Sequence, residues 1–179
     1  MPDANDIVFA AAAFAARAHR HQLRKDGLTP YFSHPVRVCL VVTYVFGFDD
    51  PRMLAAALLH DTIEDTTTDY DDLIENFGPD VARWVAALSK DSRLIETERE
   101  EAYRRQLAEA DWQVKVIKLA DQYDNLNDCA YLDAKGRRNT SVKVRGYVNA
   151  VRDGLPPEAA IALRLVEERL AQVESGLSS

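Results

Sequence analysis

The chain has 179 residues, 47% of them apolar and 28% charged, which suits one soluble domain that needs no disulfide or structural metal to close its core and excludes disordered, collagen-like and disulfide-scaffold classes. Its 22 basic against 29 acidic residues give a net charge of −7, which speaks against a nucleic-acid binder, whose usual footprint is a basic face. Cys39 and Cys129 are not paired in a CxxC and are expected as reduced, buried thiols; the longest apolar run, 7–16, is about half a bilayer span, so no membrane anchor and no signal peptide are expected and the cytoplasm is the expected location.

Helical punctuation runs along nearly the whole chain, and an all-α fold is expected. Residues 6–21 place Ile7, Phe9, Ala10, Ala13 and Phe14 on one face of a first helix. The polar stretch 22–33, with Arg24-Lys25-Asp26-Gly27 and Pro30, reads as a loop of functional interest. Pro35 then opens 36–46, apolar nearly all round and so a buried helix, with a strand as the alternative because it is β-branched. Asp50-Pro51 is a cap followed by a first-turn proline, and 53–59 is a core helix that delivers His60 and Asp61 at its C-terminal end. Thr68 or Asp69 caps a short helix to Phe77, and Gly78-Pro79-Asp80 starts another that runs to about Ser89. Beyond a polar stretch, Thr97 to Glu100 has the form of a capping box opening a charged helix to about Ala110. The 112–130 helix carries Asp121 and Asp124 on its apolar face, a conflict between burial and charge that calls for partners. Helices 141–151 and 157–174 finish the chain, with a loose tail over 176–179. The whole is expected as a single domain, 1–179.

Four residues beside or within apolar segments are candidate metal ligands: His34, His60, Asp61 and Asp121. Singly each has a bland explanation, a helix cap, a satisfied core histidine or a surface carboxylate. Together, two imidazoles and two carboxylates suit a borderline divalent ion, Mn²⁺, Fe²⁺, Zn²⁺ or Co²⁺, with positions left for water and a substrate oxygen. Glu64 and Asp65 follow within one helical turn; in isolation they are a solvated acidic pair, but beside a metal they are placed to orient water and take its proton. Lys118, Asp121 and Asn125 are spaced i, i+3, i+7 and share a helix face. Lys118 can offset phosphate charge and Asn125 can bond a ribose or phosphate, against the plainer reading of a salt-bridged helix surface. Arg24-Lys25 is the basic pair in the loop before His34, able to recruit a polyanion or stack on a base.

Three blocks carry a resemblance. AHRHQLRKDGLTPYFSHP from Ala18, LLHDTIEDT at 58–66 and VIKLADQYDNL at 116–126 resemble, in order, the motifs of the hydrolase domain of RelA/SpoT-type alarmone enzymes, over about 6–130. The resemblance implies a single-domain small alarmone hydrolase of the HD superfamily, a helical fold with a metal site between core helices, the chain stopping where longer relatives continue into a synthetase domain. By the same resemblance His34, His60, Asp61 and Asp121 would bind one Mn²⁺, and Glu64 and Asp65 would position the attacking water. Arg24 and Lys25 would hold the purine and Asn125 would contact the ribose. The substrate would be a small nucleotide, (p)ppGpp, losing its 3′-diphosphate as pyrophosphate. Asp26, Gln122 and Asn127-Asp128 depart from the family's usual serine, basic residue and Arg-Thr, so hydrolysis of ppApp or of the NADPH 2′-phosphate stays open. From another class, a noncatalytic nucleotide-binding regulator also stays open, although it would have no need of Glu64 and Asp65. Pocket residues after Ala130 are not assigned by the resemblance.

Overall fold

The protein is described here by a computed structural model, residues 4–177. Nine α-helices and three short turns of other helical type follow one another among the described residues, and the extended pairing there is a single bridge between Leu23 and Pro30. The all-α expectation holds, and the strand alternative at 36–46 does not.

Helix α3 (Pro51–Leu59) lies at the centre, packed by α1 (Ala4–Ala18), α2 (Ser33–Leu40), α5 (Tyr70–Leu88) and α7 (Trp112–Asn127). Its cap forms as expected, Asp50 accepting from the Arg52 amide with Pro51 in the first turn. Met53, Ala55, Ala56, Ala57 and Leu59 have no exposed surface, which explains a helix with no polar face: α3 is enclosed on all sides. Alanines on both α1 (Ala11, Ala15) and α3 keep the α1/α3 contact free of bulky side chains. Helix α7 is the second core element, with Val116, Ile117, Leu119, Ala120 and Leu126 buried against α2, α5, α8 (Ala134–Val151) and α9 (Ala160–Ser175).

Several boundaries move. The first helix ends at Ala18 rather than His21, and 22–33 folds back on itself, with Arg24 N donating to Thr29 O and Tyr31 N to Gln22 O. Helix α2 begins at Ser33, ahead of Pro35, and continues as a π-helical turn, Val41–Val45, where Phe46 N reaches Val41 O. A one-turn helix, α4 (Thr62–Asp65), follows His60-Asp61 at once. The two helices expected around Gly78 are the halves of α5, broken where Gly78 takes φ 81°; Asp69 and Asp72 form the capping box of the first half. The capping box expected at Thr97 is corrected: the cap lies two residues earlier, at extended Ile95, so that α6 (Glu96–Glu109) starts with no side-chain cap. Helix α8 starts at Ala134, seven residues before its expected start, because Asp133 caps the Gly136 amide. Gly176 and Leu177 are still tied to the last turn of α9, and Ser178 and Ser179 of the expected tail lie outside the described residues. Cys129 is buried as expected, but Cys39 is only partly so, and both are free thiols.

Candidate metal centre

The candidate ligands converge from three elements. His34 comes from the first turn of α2, His60 from the residue ending α3, Asp61 from the junction with α4, and Asp121 from the middle of α7. Donor atoms of His34, His60 and Asp121 lie within 4.8 Å of one another, and all three residues are buried. His34 Nε2 stands 3.3 Å from Asp121 Oδ1 and 3.7 Å from Asp61 Oδ2, and His60 Nε2 stands 3.1 Å from Asp61 Oδ2 and 4.0 Å from Asp121 Oδ1. Asp61 thus borders the three-residue cluster, approaching both imidazoles. Two ligands each about 2.0–2.2 Å from a shared ion stand roughly 3–4 Å apart, so these spacings fit one divalent cation.

The imidazoles are oriented from behind. His60 Nδ1 faces Ala57 O at 2.8 Å, and its Nε2 is buried with no hydrogen-bond partner. With the proton on Nδ1, the Nε2 lone pair is directed at the cluster. His34 Nδ1 is 2.6 Å from Asp124 Oδ2, the carboxylate–histidine arrangement that fixes ring orientation at metal sites. Asp121 accepts three bonds from its own helix, from Lys118 Nζ at 2.8 Å, Gln122 Nε2 at 2.7 Å and Asn125 Nδ2 at 2.6 Å. Lys118 and Asn125 therefore share the face expected of them, and both are directed at Asp121.

The electrostatics match a cation site. Burial would lower the His34 pKa, but the carboxylates of Asp121 and Asp124 outweigh it and push it up to about 9. Burial opposes charge on Asp121 too, yet the Lys118 ammonium and the two histidines hold its carboxyl well below the usual range. Lys118 resists burial through Asp121 and through the faces of Tyr147 and Tyr103, whose ring centres lie 4.6 and 5.1 Å from its ammonium. The burial of charge foreseen on α7 is thus met by Lys118 on the same face for Asp121 and by His34 and Arg37 of α2 for Asp124.

A cavity of about 330 Å³ opens over this floor and is lined by Arg24, Lys25, Glu64, Asp65, Lys118 and Asn125 among others. The two acidic residues of α4 differ in setting. Asp65 Oδ2 lies 3.2 Å from the Tyr31 hydroxyl, which donates to Asp61 Oδ2 at 2.5 Å; burial and then the Asp61 charge push the Asp65 carboxyl up. Glu64 Oε2 instead accepts from the Lys90 amide at 3.1 Å. Arg24 is paired with Asp128 and lies over the Tyr31 ring, while Lys25 lines the wall beside it.

Sequence reading missed Tyr31, Lys90, Lys143 and Tyr147, all on the cavity wall. Lys90 and Lys143 flank Glu100 at 3.5 and 3.8 Å, and Tyr147 donates to the same carboxylate. In one dimension such lysines look like any solvated cation. Asp124 did carry a signal, an acid on an apolar face three residues after Asp121, whereas its partner Arg37 carried none.

The HD domain family matches residues 11–146. The human protein named guanosine-3′,5′-bis(diphosphate) 3′-pyrophosphohydrolase MESH1 is 44% identical over 119 residues, 66% of each chain. The Xenopus tropicalis protein of the same name is 38% identical over 123 residues, 68% of this chain and 69% of that one. The aligned segment thus spans about two thirds of the curated relatives' length. A solved structure, described as a metazoan ortholog of SpoT that hydrolyzes ppGpp, superposes with a TM-score of 0.85 at 30% identity, covering 96% of this chain and 97% of that one.

Proposed function

This chain belongs to the HD domain family, and from that premise we propose that it is a metal-dependent phosphohydrolase that removes the 3′-diphosphate of (p)ppGpp as pyrophosphate, leaving GDP or GTP. The observation that carries the reading is the juxtaposition of the buried His34, His60 and Asp121 with Glu64 and Asp65 on the wall of one cavity. The names of the relatives supply the substrate class.

His34, His60, Asp61 and Asp121 would hold a divalent ion, proposed as Mn²⁺, with Zn²⁺, Fe²⁺ and Co²⁺ suiting the same donors. Bound there, the ion supplies Lewis acidity that lowers the pKa of water in the site and offsets phosphate charge. Asp65 is the proton acceptor: burial and the Asp61 charge raise its proton affinity above that of an ordinary aspartate, closer to the pH at which a general base works best. Glu64, fixed by the Lys90 amide, orients the water. Lys118 adds positive charge to the floor while holding Asp121. Arg24 and Lys25 take the purine from the cavity wall, Arg24 offering a flat guanidinium for stacking, and Asn125, whose Nδ2 is given to Asp121, has its Oδ1 left for the ribose. Two free thiols agree with a reducing compartment, and we assign the protein to the cytoplasm.

The test is product analysis. Incubated with ppGpp and Mn²⁺ and resolved by ion exchange, the protein should give GDP and intact pyrophosphate; orthophosphate as first product, or turnover of NADPH or ppApp in preference, rejects the assignment. Asp65→Asn and Glu64→Gln should each retain the metal and lose about 10²-fold or more in kcat. Loss of metal in either variant would move that residue among the ligands.

A further inference from the structure

Arg24 and His34, both on the lining of the cavity, are joined by an unbroken line of charge-assisted contacts. Arg24 pairs with Asp128 through Nη2. Both Asp128 oxygens accept from Arg37 Nη2, at 3.1 and 3.0 Å. Arg37 forks onto Asp124, Nε to Oδ1 at 2.6 Å and Nη2 to Oδ2 at 3.0 Å, and Asp124 Oδ2 meets His34 Nδ1 at 2.6 Å. Asp124 is 2% exposed, so a buried carboxylate depends on Arg37 and His34 for its compensating charge. Arg24 in turn has a buried Nε without a partner, and its ion pair with Asp128 is what fixes its guanidinium near the Tyr31 ring, 5.5 Å from the ring centre.

We propose that Arg37 is a positioning residue that ties base recognition to the metal ligand: through Asp128 it fixes the Arg24 guanidinium, and through Asp124 it fixes the His34 imidazole. What Arg24 holds rests on the hydrolase reading above; the His34 half rests on the contacts alone. The role demands a guanidinium. Its planar fork reaches two carboxylates at once, whereas an ammonium is a point charge that must settle on one. A side chain serving only to neutralise Asp124 would have no need to touch Asp128.

The experiment compares the full chain with Arg37→Gln, Arg37→Lys and Asp128→Asn, each checked for folding by its thermal melt. Mn²⁺ is titrated calorimetrically into the metal-free proteins, and kcat and KM are measured with ppGpp. Arg37→Gln should weaken Mn²⁺ by about 10–100-fold, as loss of outer contacts to a ligating histidine does, and should also raise KM. Arg37→Lys, its ammonium drawn to the buried Asp124, should recover most of the Mn²⁺ affinity and leave KM raised. Asp128→Asn, whose side chain is 29% exposed and tolerant of change, should raise KM with Mn²⁺ binding unaltered. Wild-type Mn²⁺ affinity in Arg37→Gln, or wild-type KM in Asp128→Asn, overturns the proposal. Should Arg37→Gln fail to fold, the Arg37→Lys split between metal and KM decides it. A wild-type protein that binds Mn²⁺ but leaves ppGpp intact would overturn the hydrolase reading instead, and the Mn²⁺ titrations alone then decide the His34 half.

Discussion

Asp121 shows why a candidate metal ligand on a core helix needs neighbours. Its carboxylate is nearly buried, and Lys118, Gln122 and Asn125 on α7 supply its hydrogen bonds. Asp121→Asn should therefore have two separable effects: loss of Mn²⁺ binding, because an amide is a poor ligand, and a lower Tm, because Lys118 is left buried without its partner at a cost of about 3–5 kcal/mol. Adding Lys118→Met should restore much of the Tm without the metal, since replacing a buried pair by apolar groups is often neutral; stoichiometric metal in Asp121→Asn would remove Asp121 from the site. His34 sets a pH dependence. Its pKa in the folded protein is raised from 6.5 to about 9, so protonated His34 stabilises the metal-free fold fully below pH 6.5, and that contribution is lost as pH rises through 9. Proton and cation compete for the same nitrogen, so Mn²⁺ affinity should rise across the window in which metal-free Tm falls. Melts in chelator and Mn²⁺ titrations from pH 6 to 9 check both trends; a Tm that climbs over that range would show that His34 is not held charged by these carboxylates.

At the scale of elements, legibility followed how locally each signal is written. Asp50-Pro51 and the uninterrupted apolar run behind it made α3 readable, since cap, first-turn proline and enclosure are each encoded within a few residues. The break in α5 was readable for the same reason, Gly78 and Pro79 leaving little choice of backbone. Elements decided by tertiary contact were not. Helix α4 is a single turn set by its attachment to α3, and the start of α8 was passed over because the turns behind its local Asp133 cap, Ala-Lys-Gly-Arg-Arg-Asn-Thr, have no apolar stripe of their own. The cluster of His34, His60 and Asp121 was legible because charge amid apolar residues is anomalous in one dimension; Tyr31, Lys90 and Lys143 were not, because only folding brings them to the cavity. Gly78 offers an element-scale test. An alanine Cβ there would meet nothing within 4 Å, so Gly78→Ala probes backbone strain alone. At φ 81° and ψ 170° the backbone is in a region essentially reserved for glycine, so the change should cost about 1–3 kcal/mol, read as a lower urea midpoint at unchanged m-value. Unaltered stability would mean that α5 can close over its break without the glycine.

For the molecule as a whole, the proposed hydrolase reading makes the arrangement of the cavity decide which bond of the nucleotide is cut. Helices α2, α3 and α7 bring the candidate ligand cluster together at the floor, α4 contributes Glu64 and Asp65 to the wall, and the folded-back 22–33 segment contributes Arg24 and Lys25. A nucleotide whose base lies against Arg24 and Lys25 and whose 3′-diphosphate reaches the floor presents to the α4 carboxylates the phosphorus joined to the ribose oxygen. Water oriented there forms a new P–O bond as the bond from that phosphorus to the ribose oxygen breaks, and the ribose oxygen leaves with a proton. The diphosphate then departs whole, because the bridge between its two phosphorus atoms is never attacked. Run in ¹⁸O-labelled water, the reaction should put one label into pyrophosphate and none into the nucleotide, as read by mass spectrometry of the separated products. Attack on the terminal phosphorus would instead label orthophosphate and leave a 3′-monophosphate, and attack at ribose carbon would label the 3′-hydroxyl. Either pattern would place the water where Glu64 and Asp65 do not direct it, even with all four candidate ligands holding the ion.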